Sequence, residues 1–156
     1  MYRINLTAVG SIKENFLNEG IAEYKKRLSS MCKFTVTEVE EYKLTDEGAS
    51  SVKKALESEG KAILKKMEGC CNILMDIGGK AVSSEELSGI VVKEAQLKEV
   101  NFIIGSSYGV CDEVRKNADY RISFGRITMP HRLFRLVLSE QIYRSLAIAA
   151  NKNYHK

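Results

Sequence analysis

Three side chains at the C-terminal end of the sequence could take part in acid–base or nucleic-acid chemistry. Tyr154, His155 and Lys156 place a phenol, an imidazole and an ammonium group in consecutive positions. Histidine accepts a proton near neutral pH, and aromatic rings stack on bases. Terminal residues are also commonly frayed and solvated, so the tail alone leaves both interpretations open. The other histidine, His131, directly follows the only proline, Pro130, where a structural role is the simpler interpretation.

Three loops rich in glycine and small residues could hold a ligand through backbone atoms. They cover residues 76–79, 105–109 and 124–130. Glycine at a strand end either permits a turn or lets a ligand approach the main chain closely. None of the loops has the G-x-G-x-x-G spacing of a dinucleotide site or the Gly-Lys-Ser/Thr of a phosphate loop. A nucleoside suits them better, with its base in an apolar slot lined by Phe124, Ile127 and Met129.

Alternating strands and helices must position these loops. Hydrophobic patterns predict strands at 2–9, 33–40, 72–79, 100–105 and 120–124, and helices at 13–29, 50–67, 84–97, 112–118 and 131–150. Ser83 and Glu86 have capping-box spacing, and Asp112 is the expected cap of the fourth helix. This order predicts an α/β fold with a mostly parallel sheet and helices on both faces. Ligands of such sheets bind beyond the carboxyl ends of the strands, where the loops lie.

The last helix has more apolar surface than one packed face requires. Such a helix is either a central core helix of the monomer or is covered by a second copy of the chain. In a chain of 156 residues, a C2 dimer is the favoured explanation. The apolar residues concerned are Leu133, Phe134, Leu136, Val137, Leu138, Ile142, Tyr143, Leu146 and Ile148.

Composition restricts the class of protein. A length of 156 residues predicts about one domain. A net charge of +4 permits a nucleic-acid partner without requiring one. No apolar run is long enough for a bilayer, and the N-terminus does not resemble a signal peptide, so we expect a cytoplasmic protein with no membrane partner. The four cysteines form no zinc-type pattern, and we expect no metal.

Short motifs in a specific order run through nearly the whole chain. They are Ala-Val-Gly at 8–10, Ala-Glu-Tyr-x-x-Arg-Leu at 22–28, Asp-Ile-x-Gly-Lys at 76–80, Ser-Ser-Glu at 83–85, Ile-Gly at 104–105, Thr-x-Pro-His at 128–131, Glu-Gln-x-Tyr-Arg at 140–144 and Tyr-His-Lys at 154–156. In order, spacing and terminal position, this set resembles the small SPOUT-class methyltransferases that methylate N3 of a pseudouridine in large-subunit ribosomal RNA.

The resemblance implies a fold and a function together. The fold is a single SPOUT domain over residues 1–156, whose C-terminal part, about 70–156, forms a trefoil knot at the cofactor site, an exception to the rule that chains do not thread loops. The implied function is that of a cytoplasmic homodimer that uses S-adenosyl-L-methionine. Its implied substrate is 23S rRNA in the assembled ribosome, at the family's pseudouridine 1915.

The resemblance also implies roles for individual residues. Cofactor contacts, mostly through the backbone, fall on Met75, Gly105, Phe124, Gly125, Arg126, Ile127, Thr128 and Met129. Tyr154 and His155 are the catalytic candidates, on a tail that reaches the partner subunit's site. Lys156, Arg144 and His131 are candidate RNA contacts. Because N3 must lose a proton, we expect His155 to be the base, with His131 as the alternative, and Tyr154 to orient or stack on the flipped nucleotide.

Two positions depart from the pattern of that family. The family usually has a second glycine after the one at 105, where this chain has Ser106. A serine there would be strained if the position required a positive φ. The family also usually has a pair such as Ser-Lys where this chain has Gly125 and Arg126, a change that affects the flexibility of the loop.

Two other classes of protein fit parts of the sequence. A flavodoxin-like enzyme would bind a flavin or another nucleotide at the same strand ends, and the purified protein would be yellow if it held flavin. A non-catalytic ribosome-binding factor would bind ribosomes without needing S-adenosylmethionine.

Overall fold

A computed structural model describes all residues from Met1 to Lys156. The strands are β1 (Tyr2–Val9), β2 (Cys32–Val39), β3 (Cys71–Ala81), β4 (Val100–Ile104) and β5 (Tyr120–Ser123). The helices are α1 (Asn15–Leu28), α2 (Ala49–Met67), α3 (Ser84–Ala95), α4 (Asp112–Asn117) and α5 (His131–Ala149). Every predicted strand and helix is present, and no end differs from its predicted position by more than two residues.

The five strands form one sheet in the order β2-β1-β4-β3-β5, and every neighbouring pair is parallel. The predicted α/β class and parallel sheet are therefore confirmed. β4 is the central strand, and β3 lies between β4 and β5. This order places the carboxyl ends of β3, β4 and β5 side by side, so the three glycine-containing loops meet at one edge of the sheet.

Helices cover both faces of the sheet, as the alternation of elements predicts. On one face, apolar side chains of α1, α3 and α5 pack against the sheet around Phe102, Ile73 and Leu6. On the other face, α2 and α4 contribute Ile63 and Val114 to a smaller core. The close approach of α2 and α4 depends on Gly60, because a Cβ at that position would lie 2.3 Å from the Cys111 sulfur.

The polar side of β1 is buried beneath α2. Asn101 Oδ1 accepts hydrogen bonds from Asn5 Nδ2 at 2.9 Å and Thr7 Oγ1 at 2.8 Å. Asn101 Nδ2 donates to Asn72 Oδ1 at 3.0 Å. Asn5, Asn101 and Asn72 occupy paired positions on β1, β4 and β3. These hydrogen bonds form only in this register, so the cluster stabilises the alignment of the strands that form the site.

The starts of two helices test the predicted caps. The Ser83 hydroxyl accepts from the Glu86 amide at 3.1 Å, and Glu86 Oε2 accepts from the Ser83 amide at 2.7 Å, which confirms the capping box of α3. The prediction that Asp112 caps α4 is wrong. Cys111 holds the N-cap position without a side-chain hydrogen bond. Asp112 is the first helical residue, and its carboxylate bonds to Arg115 at 2.9 Å.

Candidate active site

A cavity of about 420 Å³ opens at the carboxyl ends of β3, β4 and β5. It is lined by residues of the three predicted loops and by the first turn of α5. The lining residues are Leu74, Met75, Asp76, Ile77, Ile104, Gly105, Ser106, Ser107, Tyr108, Gly109, Val110, Arg115, Ile122, Ser123, Phe124, Gly125, Ile127, Thr128, Met129, His131 and Phe134. A hollow of this size, with an apolar majority and a few polar groups, suits a nucleoside-sized ligand.

Seven of the eight residues predicted to contact a cofactor line this cavity. They are Met75, Gly105, Phe124, Gly125, Ile127, Thr128 and Met129, and only Arg126 is missing from the wall. Sequence reasoning missed several wall residues, including Tyr108, Arg115 and Phe134. Tyr108 lies inside the 105–109 motif and could have been named from it. Arg115 and Phe134 carry no signal in the sequence, because the packing of α4 and α5 against the sheet brings them there.

The loop after β4 closes on itself through two backbone hydrogen bonds. The Ser106 amide donates to the Gly109 carbonyl at 3.1 Å, and the Gly109 amide donates to the Ser106 carbonyl at 2.9 Å. Gly109 provides the positive φ of +88° that this turn requires. The only non-glycine residue with a positive φ is Asn151, so Ser106 is not strained and this departure from the family pattern is tolerated.

The loop after β5 is shaped by Gly125. Its φ of +116° lies in a region that L side chains rarely adopt. The Ser123 hydroxyl donates to the Gly125 carbonyl at 3.0 Å and accepts from the Gly125 amide at 3.1 Å. The backbone after position 123 therefore turns into the cavity wall, and a glycine at 125 fits the conformation that this turn takes.

Asp76 forms a charged clamp at the edge of the cavity. Its Oδ2 accepts from Arg121 Nη2 at 2.8 Å and lies 3.5 Å from Arg115 Nε, while its Oδ1 accepts from the Gly78 amide at 3.0 Å. Burial opposes ionisation, but the Gly78 amide and the Arg121 guanidinium outweigh it and lower the pKa of Asp76. The carboxylate thus holds β3, β5 and α4 together at the site.

His131 brings an uncompensated polar atom to the cavity wall. Its Nε2 is buried and has no hydrogen-bond partner. Burial, followed by the nearby Arg132 charge, lowers the pKa of His131, so the ring is neutral at neutral pH. A neutral imidazole nitrogen either donates or accepts one hydrogen bond. A ligand in this cavity could therefore satisfy Nε2. His131, predicted as an RNA contact, lines the same cavity as the cofactor candidates.

The C-terminal tail docks on α3 and α5 of its own chain. The Tyr154 hydroxyl donates to Glu140 Oε1 at 3.0 Å, and its ring meets the edge of Tyr143 at a centroid distance of 4.9 Å. Burial and this hydrogen-bonded environment raise the pKa of Tyr154, so the phenol stays protonated. Arg144 lies over the same ring at 4.8 Å. The tail therefore packs against the folded domain through Tyr154.

His155 is held between two helices, whereas Lys156 is exposed. His155 Nε2 lies 2.6 Å from Glu85 Oε1, and Nδ1 lies 3.1 Å from Arg144 Nη1. Arg144 also bonds to Glu140 Oε1 through Nη2 at 2.6 Å. The structure therefore brings Tyr154, His155 and Arg144 together but places His131 elsewhere.

The cavity lies at the N-terminal end of α5, and the tail folds back onto its C-terminal half. His131 begins this helix of 19 residues, whereas Tyr154 bonds to Glu140 and His155 lies beside Arg144. At a rise of about 1.5 Å per residue, Glu140 is about 14 Å and Arg144 about 20 Å along the helix from His131. Neither Tyr154 nor His155 is among the residues that line the cavity of the same chain.

A second, larger hollow of about 800 Å³ lies on the other side of the 105–109 loop. Both cavities include Ser106, Ser107 and Tyr108 in their walls. Glu59 of α2 lines the second one. Burial raises the pKa of this carboxyl, one oxygen accepts from the Tyr42 amide at 3.1 Å, and the other has no hydrogen-bond partner. The 105–109 loop therefore separates the two cavities and contributes to both walls.

Two further properties of the structure concern metals and membranes. No group of three or more His, Cys, Asp or Glu side chains is arranged to hold a metal ion. None of the five helices is both long enough and apolar enough to span a bilayer.

A parallel sheet with a cavity beyond three adjacent strand ends defines an α/β protein with a candidate site for a small organic ligand. The comparison of sequences makes the class specific. Residues 2–155 match the model of a family described as predicted SPOUT methyltransferase. The chain belongs to this family.

Full-length relatives share one name, ribosomal RNA large subunit methyltransferase H. The relative from Pediococcus pentosaceus is 46% identical over 160 residues, which cover 98% of this chain and 99% of the relative. The relative from Lactococcus lactis subsp. cremoris is 43% identical over 158 residues, with 99% of both chains covered. The relative from Fusobacterium nucleatum is 38% identical over 157 residues, covering 98% of this chain and 99% of its own.

Proposed function

We propose that this protein transfers a methyl group from S-adenosyl-L-methionine to N3 of a pseudouridine in 23S rRNA of the assembled ribosome. The observation that carries the proposal is the convergence of the three predicted loops on one cavity. The shared name of the relatives supports ribosomal RNA as the substrate. Ribosomes are cytoplasmic, so the protein would act there. The single domain and the trefoil knot that the family resemblance implies belong to the same proposal.

The residues of the cavity fit the cofactor. S-adenosylmethionine supplies a methyl group that its sulfonium already activates. The 105–109 and 124–129 loops bring main-chain groups to the cavity wall for the adenosine part, and Met75 and Phe134 offer an apolar wall. The buried Nε2 of His131 would gain the hydrogen bond that it lacks. What remains for the protein is to place the acceptor and remove its proton.

The acceptor side of the reaction is assigned to the tail. N3 of pseudouridine is an imide nitrogen and must lose its proton to attack the methyl carbon. His155 is the proposed base, and Tyr154 stacks on or orients the flipped nucleotide. Lys156 and Arg144 are proposed contacts to RNA phosphates, with Arg126 as a further one outside the cavity wall.

A homodimer would bring the two halves of the site together. If α5 packs antiparallel to α5 of a second copy, the tail of one chain reaches the cavity of the other. The exposed apolar residues at the cavity mouth support this arrangement, because water would otherwise surround them. Ile127 is 83% exposed, and Met129 and Leu133 are each 37% exposed.

The intact ribosome is the proposed substrate because the chain lacks a strong electrostatic attraction for RNA. A net charge of +4 provides modest nonspecific affinity. Recognition would therefore depend on the shape of the RNA at its position in the ribosome. Efficient methylation of short, naked RNA of the same sequence would contradict this part of the proposal.

The decisive experiment is transfer of labelled methyl from S-adenosylmethionine to ribosomes from cells that lack this enzyme, followed by mapping of the modified nucleotide. Label on N3 of a pseudouridine is the expected result. Label on another nucleotide would overturn the assigned acceptor. Ribosome binding that needs no S-adenosylmethionine, with no transfer, would favour the binding factor, and copurified flavin would favour the flavodoxin-like alternative.

The role of His155 can be tested with His155→Ala. We expect methyl transfer to fall by about a hundredfold, the usual contribution of a general base, while the Kd for S-adenosylmethionine measured by calorimetry stays unchanged. Lys152→Ala, at an exposed position beside the tail, is the matched control and should retain full activity. Equal loss of cofactor binding and transfer in His155→Ala would rule out the base assignment.

A further inference from the structure

The hydrogen bonds of His155 define which of its ring nitrogens carries the proton. A guanidinium group can only donate hydrogen bonds, so Nδ1, which lies 3.1 Å from Arg144 Nη1, must be the acceptor. The proton is therefore on Nε2, which donates to Glu85 Oε1 at 2.6 Å. A carboxylate that holds one N–H of an imidazole while the other nitrogen keeps its lone pair is the arrangement that orients histidine bases in many enzymes.

The position of Glu85 is well determined by the fold. It lies in the first turn of α3, which the Ser83–Glu86 capping box fixes on both sides. The Ser84 hydroxyl also donates to Gln141 on α5 at 2.8 Å, so the start of α3 is tied to the helix that carries Arg144. The hydrogen bond from His155 lowers the pKa of Glu85, which keeps the carboxylate ionised.

Arg144 covers the nitrogen that a base would use. Its Nε and Nη2 bond to Glu140 Oε1 at 3.0 and 2.6 Å, and its Nη1 points to His155 Nδ1. The charged and titratable groups around the ring are thus Glu85 from α3, Arg144 and Glu140 from α5, and Tyr154 and Lys156 from the tail. Among them, only Arg144 competes for Nδ1.

We infer that Glu85 is the positioning residue for the base: it holds the Nε2 proton of His155 and leaves Nδ1 to take the proton from the acceptor nucleotide. This inference rests on the proposed function. Arg144 Nη1 leaves Nδ1 when an RNA phosphate attracts the guanidinium, so the base becomes available only when the substrate is bound. Glu85 and His155 belong to one chain and serve the cavity of the second copy.

The proton and electron balance is complete with the two substrates alone. The N3–H bond of the nucleotide breaks and an Nδ1–H bond forms on His155. The electron pair left on N3 forms the new N–C bond, while the sulfur keeps the pair of the broken S–C bond. The resulting imidazolium faces the Glu85 carboxylate and afterwards releases its extra proton to water.

The first readout of the test is the hydrogen bond from His155 to Glu85, which needs no catalysis. Nitrogen-15 chemical shifts distinguish protonated from unprotonated ring nitrogens, and since the chain has two histidines, His131→Asn completes the assignment. We expect the Nε2–H form of His155, with the downfield Nε2 proton resonance of a hydrogen bond to a carboxylate, in the wild-type protein and in Glu68→Ala, a matched change at an exposed glutamate. In Glu85→Ala, Arg144 still donates to Nδ1, so we expect the tautomer to persist and the downfield Nε2 proton resonance to be lost. An unchanged Nε2 proton resonance in Glu85→Ala would overturn the inference.

The second readout separates positioning from binding. Glu85→Ala should lower kcat for ribosome methylation about tenfold, with KM for ribosomes and Kd for S-adenosylmethionine unchanged. Glu85→Gln, which keeps a hydrogen-bond acceptor, should recover part of that loss. Unchanged kcat in Glu85→Ala would overturn the inference while leaving the proposed function intact. Loss of the Nε2 proton resonance in Glu85→Ala, in an enzyme that does not methylate pseudouridine, would instead overturn the proposed function.

Discussion

The main chain at Gly105 runs too close to Gly109 for any side chain to fit between them. A Cβ at position 105 would lie 2.4 Å from the Gly109 carbonyl oxygen, a distance that neither backbone segment can absorb without moving. Because Gly105 also lines the cavity, its small size serves both the packing of the loop and the shape of the site.

Gly105→Ala should therefore damage stability and cofactor binding together. We expect the free energy of unfolding to fall by about 1–3 kcal/mol, as in other overpacked interiors. Gly89→Ala is the control, since the added methyl on α3 meets open space, and we expect about 0.5–1 kcal/mol of stabilisation from helix propensity. Urea denaturation measures the free energy of unfolding of both variants, and calorimetry measures the Kd of Gly105→Ala for S-adenosylmethionine. A Gly105→Ala protein as stable as the wild type would show that the loop adapts.

His131 makes the free energy of unfolding depend on pH in the acidic range. Burial lowers the pKa of His131 in the folded state, so the unfolded chain binds a proton that the folded chain does not. The free energy of unfolding then falls as the pH drops below about 6.5, the ordinary pKa of histidine. The contribution of His131 to this fall is complete once the pH is below its lowered pKa in the folded state.

In His131→Asn, the free energy of unfolding should depend less steeply on pH between about 7 and 5, because the titrating group is removed. Urea denaturation at a series of pH values measures the two slopes. Identical slopes in the variant and the wild type would mean that the imidazole is not protected from protonation in the fold.

At the scale of elements, α3 connects the sheet to the docked tail. Its capping box satisfies amides of the first turn, and the same turn carries Glu85 to His155. Local sequence therefore determines the geometry of a residue that contacts the other end of the chain. For the loops after β3, β4 and β5, the global fold matters more than local sequence, because the order of the strands determines which loops meet.

Ser83→Ala should destabilise the protein by about 1 kcal/mol through loss of the cap. Thermal unfolding should show a lower Tm, and the imidazole signals of His155 should broaden as the first turn of α3 loosens. Ser58→Ala, at an exposed position in the middle of α2, is the control and should be neutral or slightly stabilising. A cap variant with an unchanged Tm would mean that tertiary contacts alone hold this helix end.

At the scale of the whole molecule, the separation of the cavity from the docked tail along α5 makes the subunit arrangement testable. A tail deletion that removes residues 154–156 leaves the cavity intact. Thr128→Trp fills the cavity but leaves the tail intact. The homodimer of the deletion variant should be inactive in methyl transfer because it lacks the tail. The homodimer of Thr128→Trp should be inactive because its cavity is filled.

A heterodimer of these two variants should recover about half of the wild-type rate, because one cavity then has a functional tail from the other subunit. Coexpression with two affinity tags isolates the heterodimer, and ribosome methylation measures its activity. An inactive heterodimer would show that each tail serves the cavity of its own chain and would rule out the shared site.

The sequence by itself determined the strands and helices, the capping box and the residues of the three loops. These features depend on interactions between residues close together in the chain: hydrophobic periodicity, the cap hydrogen bonds and the special conformations of glycine. The placement of the cavity also followed from sequence, because strand carboxyl ends in parallel sheets share one edge.

Only the tertiary structure decided the strand order, the place of His131 and the partners of the tail. Glu85 and His155 are 70 positions apart, and no local pattern shows that they touch. Arg115 and Phe134 reach the cavity wall for the same reason. Such contacts arise from the packing of helices on the sheet, where many nonlocal interactions act together, so a single sequence identifies the candidate groups but not which of them meet.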